Sequence, residues 1–147
     1  MLSNTCKYAL RAVLYLAINQ DKDNKIGIKQ ISSDLSIPRP FLGKILQQLA
    51  KYKLLHSSKG PNGGFSLGKN AYDISLYDIV EIIDGKEMFY DCLIGMQVCK
   101  DDSEKQKICP LHPTADATRL GIMNLFKNHN LGKITEDVSQ LDVLLKF

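Results

Sequence analysis

Long hydrophobic runs are missing from this 147-residue chain: no stretch reaches the roughly 18 uncharged apolar residues that a bilayer span requires. The N-terminus lacks the basic-then-apolar layout of a secretory leader, so a cytoplasmic protein with no membrane partner is expected. Signatures of catalysis are missing as well. There is no GxxxxGK[ST] or GxGxxG phosphate loop, and His56, His112 and His129 stand in no serine-acid arrangement readable as a hydrolase. The expectation is a protein that is not an enzyme and has no small-molecule substrate. Internal repeats and low-complexity tracts do not occur either. What remains is a chain of ordinary apolar content, 44%, long enough for one core with an appendage.

Acidic residues are scarce in one half only. Residues 1 to 70 hold eleven Lys/Arg against three Asp (Asp21, Asp23, Asp34), a net of +8, whereas residues 71 to 147 hold eight bases against thirteen acids, a net of −5. The overall +3 conceals this division. It suits an N-terminal half that meets a polyanion and a C-terminal half with another task, although solvated lysines alone would give the same count.

The stretch from Ile37 to Phe65 favours the polyanion. Phe41, Leu42, Ile45, Leu46 and Leu49 recur at three- and four-residue spacing, which predicts a helix with one apolar face. Arg39, Lys44, Gln47, Gln48 and Lys51 then point elsewhere as a basic, polar face. Pro38 and Pro40 fit only in or before a first turn, so the helix is expected to begin near Arg39 and to end near Lys53. Gly60, Asn62, Gly63 and Gly64 are expected to supply positive-φ residues for a tight hairpin that returns through Phe65 to Leu67. Helix and hairpin together read as a reading helix followed by a wing.

Around this unit the pattern predicts further helices. The first, capped by Ser3 or Asn4, carries Tyr8, Ala9, Ala12, Val13 and Leu16 and fades by Asn19. A short second one, IKQISSDL, precedes the reading helix and completes a helix-turn-helix. Ser75 with Asp78 forms a capping-box variant at the start of a fourth helix, with Leu76, Ile79, Val80 and Ile83 buried and Gly85 ending it. Periodicity is lost from Lys86 to Pro113. Thr114 is expected to cap a long helix to about Asn128 with a broad apolar face of Leu120, Ile122, Met123, Leu125 and Phe126, and Thr135 to Leu145 predicts one more. A long apolar helix at the end of so small a domain has little to pack on, so pairing with a second copy is expected, with folding back onto the core as the alternative.

Three of the four cysteines lie in the aperiodic segment. Cys92, Cys99 and Cys109 with His112 form C-x6-C-x9-C-x2-H, three thiolates and an imidazole able to hold an iron-sulfur cluster or a structural zinc. Free thiols that sense oxidants by forming a disulfide, or unligated cysteines, fit the same residues, and His112 could instead cap the following helix. Cys6 reads as a small, partly buried residue or a rival fourth ligand.

The ordered combination of YALRAVLYLA, ISSDLSIPRPFLGKILQQLAKYKLL, SKGPNGGFSL, ISLYDIVEIIDG and CPLH resembles the Rrf2 family of bacterial winged-helix transcriptional regulators across essentially the whole chain. The wing sequence is the most specific piece. The resemblance implies a mainly α fold: a winged helix-turn-helix domain over residues 1–85, a cysteine-containing sensor loop over 86–113, and a dimerisation helix with a C-terminal helix over 114–147. It further implies a homodimer on double-stranded DNA, most often a repressor, with third helices in successive major grooves and wings reaching the minor groove. Carried over by position, Arg39, Pro40, Gly43 and Lys44 begin the reading helix, with Pro38 before them. Arg39 and Lys44 could donate to guanine O6 and N7 or only contact phosphate, and Lys51, Lys53 and Lys69 read as phosphate contacts, with solvated lysines as the alternative. Lys59, where members commonly carry an arginine, and Asn62 belong to the wing. In the family's cluster-binding members three cysteines occupy this loop, which makes Cys92, Cys99, Cys109 and His112 the candidate ligands of an iron-sulfur cluster sensing redox, iron or nitric oxide state. Zinc is the alternative cofactor, and the protein can be apo as purified. The other readings are a zinc-stabilised or thiol-based redox regulator without a cluster, and a zinc interaction module that binds no DNA.

Overall fold

The computed structural model describes residues 2–19, 25–91 and 110–136. Helix α1 (Asn4–Ile18) starts where the Ser3 side chain accepts the Cys6 amide, closing one of the donors that every helix leaves open at its N-terminus. Its Ala9, Ala12, Val13 and Leu16 are buried as their spacing predicts, and Tyr15 joins them with its hydroxyl on the Asp34 carboxylate. Helix α2 (Ile28–Leu35) ends on Ser36 in the left-handed conformation, φ 54°, which turns the chain at once into helix α3 (Arg39–Lys51). The Arg11 guanidinium donates to the Leu35 carbonyl at 3.0 Å, satisfying an open acceptor at the end of α2 and fixing α1 against the turn.

Helix α3 begins with Pro38 as its cap and Pro40 inside the first turn, where proline costs no hydrogen bond. It stops at Lys51, earlier than its apolar pattern suggests, because Lys53 takes φ 60° and sends the chain into strand β1 (Leu55–Ser58). Strand β2 (Gly64–Leu67) pairs antiparallel with β1 in the register Leu55 to Leu67 through Ser58 to Gly64. An isolated bridge between Ile26 and Phe65 ties strand β2 to the segment before α2. One core results: Leu42, Ile45, Leu46 and Leu49 of α3 meet α1, α2, Leu55, Phe65 and Leu67.

A 3-10 turn (Ala71–Asp73) leads to helix α4 (Leu76–Ile83), whose N-terminus carries the complete reciprocal box: Ser75 Oγ accepts the Asp78 amide and the Asp78 carboxylate accepts the Ser75 amide. Gly85, at φ 81°, follows the helix end. A four-residue helix α5 (Glu87–Tyr90) then forms inside the segment where sequence periodicity fails, too short to leave a helical repeat.

The long helix α6 (His112–Asn128) begins two residues before the expected Thr114 cap. Pro113 sits in its first turn, and Thr114 is already helical, its carbonyl accepting the Thr118 hydroxyl at 2.9 Å. The short helix α7 (Leu131–Thr135) is capped by Asn130, and Leu131 anchors it in the main core. The Thr135 to Leu145 helix expected from sequence falls outside the described residues beyond Glu136. A second, smaller apolar cluster of Cys6, Val80 and Phe89, with Tyr77, Met123 and Phe126 packed on it, joins α1, α4, α5 and α6.

Candidate nucleic-acid interface

Burial of Leu42, Ile45, Leu46 and Leu49, each at most 2% exposed, fixes the rotation of α3 about its axis. That rotation leaves Arg39, Pro40, Lys44, Gln47 and Lys51 exposed. Among the described residues no carboxylate pairs with Arg39, Lys44, Lys51 or Lys59, so these cations face solvent uncompensated. Two residues behave differently from their sequence reading. Gly43 is half-buried, and a Cβ built on it would stand 3.3 Å from Ile28 Cδ1, so it marks where α2 packs against α3. Gln48 uses its side-chain amide to donate to the Ile82 carbonyl at 2.8 Å, holding α4 against α3.

Phe41 also departs from expectation. Its spacing suggests the apolar stripe, yet the residue is 38% exposed, near Arg39, Pro40 and Lys44 along the helix, with its ring roughly perpendicular to that of Tyr8 of α1 at 5.7 Å between centroids. Phe41 and Leu42 are adjacent apolar residues about 100° apart on a helix, and only packing decides which one enters the core.

The hairpin places Lys59, Pro61 and Asn62 at its exposed tip. Of the four residues expected to have positive φ, Gly60 alone does, at 106°. The other glycines are present for proximity. A Cβ on Gly63 would lie 2.4 Å from the Ser58 carbonyl oxygen, and one on Gly64 would lie 2.5 Å from that of Ile26. Gly64 therefore lets the wing seat on the strand-like segment before α2, where Ile26 and Phe65 exchange backbone hydrogen bonds of 2.9 Å.

A basic reading helix beside a wing, packed on this three-helix core, is matched over residues 2–137 by the model of the Rrf2 family, described as an iron-dependent transcriptional regulator. The chain belongs to the Rrf2 family. It is similar over 86% of its length to a protein of Aquifex aeolicus (strain VF5) named for an HTH-type transcriptional regulator, 34% identical over 127 residues and covering 85% of that relative. It is 32% identical over 145 residues to the HTH-type transcriptional regulator NsrR of Halalkalibacterium halodurans, covering 99% of this chain and 97% of that one. The structure of CymR, the global cysteine regulator of B. subtilis, shares the fold with a TM-score of 0.72 at 18% identity, over 91% of this chain and 95% of that chain. As an Rrf2 protein the chain is a DNA-binding transcriptional regulator of helix-turn-helix type.

Of the candidate sensor residues, Cys92, Cys99 and Cys109 lie outside the described residues. His112 opens α6 with its Nε2 3.0 Å from Asp116 Oδ2, and Arg119 Nη1 approaches the other oxygen of the same carboxylate at 3.2 Å. Sequence reasoning missed Asp116 and Arg119, although positions four and seven after His112 lie on its face of a helix. Arg119 is buried, and among the described residues its Nε has no hydrogen-bond partner.

Cys6 is wholly buried between Val80 and Phe89. Burial pushes its thiol up to about 12, and the nearby Asp84 carboxylate acts in the same direction. Asp84 is itself held by the amide and hydroxyl of Ser3. Its burial against Val80 and Phe89 fits the reading of Cys6 as a small core residue.

Helix α6 leaves Leu120, Ile122 and Leu125 exposed, as is Leu111 just before it. An apolar groove of about 520 Å³ runs between α1, α5 and α6, walled by Leu2, Met88, Phe89, Leu111, Ile122 and Phe126.

Proposed function

We propose that this Rrf2 protein is a homodimeric, sequence-specific regulator, acting as a repressor, that reads DNA with α3 and the wing and senses its signal through the cysteine segment. The observation carrying the DNA reading is the set of exposed, uncompensated cations at one end of α3 and on the hairpin tip. Arg39 and Lys44 are held there by a helix whose opposite face is buried, and Lys59 by the hairpin that follows it. Arg39 and Lys44, near the N-terminus of α3, suit guanine O6 and N7; Lys51, Lys53 and Lys69 suit phosphates. Lys59 and Asn62 belong to a hairpin of the size that reaches an adjacent groove.

The exposed leucines of α6 support pairing with a second copy, since apolar side chains left in water on one helix gain most from covering one another. Two copies would place their reading helices about 34 Å apart on one duplex.

For the sensor, three thiolates and an imidazole suit an iron-sulfur cluster or zinc, and the surroundings of His112 fit that role. With Nε2 directed at the Asp116 carboxylate, Nδ1 is the nitrogen left to ligate, and a carboxylate on the other nitrogen is the usual companion of a metal-binding histidine. The N-terminus of α6 also favours a nearby anionic group. A bound cluster would supply one-electron chemistry and sensitivity to oxidants. Asp116 and Arg119 would orient the imidazole, and the sequence from His112 into α6 would couple ligation to the proposed dimer helix. The family description as an iron-dependent transcriptional regulator supports an iron-linked signal.

The test has two arms. DNA selected from a random pool should be bound by the wild type and lost together by Arg39→Ala, Lys44→Ala and Lys59→Ala in combination; binding undiminished in the triple variant contradicts the DNA surface. Anaerobic purification should give visible absorbance with iron and sulfide, abolished by Cys92→Ala; a colourless protein with stoichiometric zinc would replace the cluster with a structural metal.

A further inference from the structure

Resting on the reading that α3 enters the major groove, we propose that Phe41 reads the 5-methyl group of a thymine and is a specificity-determining residue of this protein. The buried stripe of α3 is filled by Leu42, Ile45, Leu46 and Leu49, and Phe41 remains 38% exposed. The ring is nevertheless held in position. Its backbone amide donates to the Pro38 carbonyl at 3.1 Å in the first turn, and the ring meets Tyr8 of α1 nearly perpendicularly, at 87°, so α1 braces a side chain that stays partly exposed. Lys44 lies three residues on, on the same side of the helix, with Arg39 and Pro40 just before it, all exposed.

An aromatic ring at the N-terminal turn of a reading helix, between a guanidinium and an ammonium, faces base edges rather than phosphates alone. The apolar feature available there is the thymine methyl, which in the major groove distinguishes A·T from every other pair. A rigid ring loses little side-chain freedom on meeting it, unlike the flanking lysine. The bland alternative is that Phe41 only braces α3 against α1. A brace would be indifferent to a methyl group on the DNA.

The experiment uses the full chain and a duplex obtained by selection, replacing each thymine in turn by deoxyuridine, which removes the methyl and leaves pairing intact. The expected result is one symmetry-related thymine per half-site at which the swap weakens binding by about four-fold, the worth of one buried methyl. Phe41→Ala should bind the thymine and uracil duplexes equally. Phe41→Leu, which keeps an apolar contact and is less prone to misfold, should retain part of the preference. The wild-type scan needs no variant at all. Equal binding to every uracil-substituted duplex, with tight binding to the parent duplex, overturns the role of Phe41 while leaving the DNA surface standing; no binding to any selected duplex overturns both.

Discussion

At Cys6, burial and a neighbouring carboxylate push in the same direction, and the thiol stays protonated up to about pH 12. The consequence for stability has a definite sign. In the unfolded chain the thiol ionises near its ordinary value of 9.0, whereas the folded protein holds the proton well beyond it. Between those two values the folded state binds more protons, so stability is complete below pH 9 and falls as pH rises towards 12. Thermal melting between pH 8 and 10.5 should therefore show a steeper loss for the wild type than for Cys6→Ala. An identical slope in the two would show that this thiol is not held as described. Individual residues were unevenly legible in the sequence. The exposed cations were readable because charge at a fixed helical offset from an apolar stripe settles exposure. Phe41 was not, because two adjacent apolar residues compete for one core position and tertiary contacts choose between them. Asp116 and Arg119 went unseen because a carboxylate and a guanidinium on a helix are ordinary surface residues until one of them is found buried.

Among the elements, the wing depends on close approach more than on turn type. Sequence reasoning placed the hairpin correctly and gave its glycines a torsional reason, which holds for Gly60 alone. Gly64 has no side chain because the Ile26 carbonyl occupies that space, a contact from residues nearly forty positions away that no local pattern encodes. Gly64→Ala should cost about 2 kcal/mol through that clash, lowering Tm by roughly 4–8 °C for a domain of this size. A Tm within a degree of wild type would show that the wing does not seat on Ile26. Helix α4 gives a cleaner case, since its capping box was legible from Ser75 and Asp78 and both hydrogen bonds are present. Ser75→Ala should destabilise by about 1 kcal/mol in urea unfolding, with no change in m-value, whereas Ser75→Asp should recover most of it. Loss of the same size in both variants would point to a role other than capping.

For the whole molecule, the division of charge found in the sequence maps onto a division of structure. The basic half builds α1, α2, α3 and the wing, and the acidic half builds the helices beyond them, with the exposed leucines of α6 on the far part of the chain. Among the described residues, helices α1 to α4 and the wing were readable because periodicity, prolines and glycines agree there; helices α5 and α7 were missed as one or two turns, and the start of α6 was misplaced because Pro113 lies in its first turn with no hydroxyl cap. On the proposed reading, two copies present α3 and the wing to one duplex. Hydroxyl-radical footprinting on a selected site, at protein concentrations where sedimentation defines the species, tests it most directly. The prediction is a dimer giving two protected patches related by a two-fold axis, centred about 10 base pairs apart on one face of the duplex, both lost when Leu120 and Leu125 are replaced by Glu. A single unsymmetrical patch from a monomer, undisturbed by those substitutions, would contradict it.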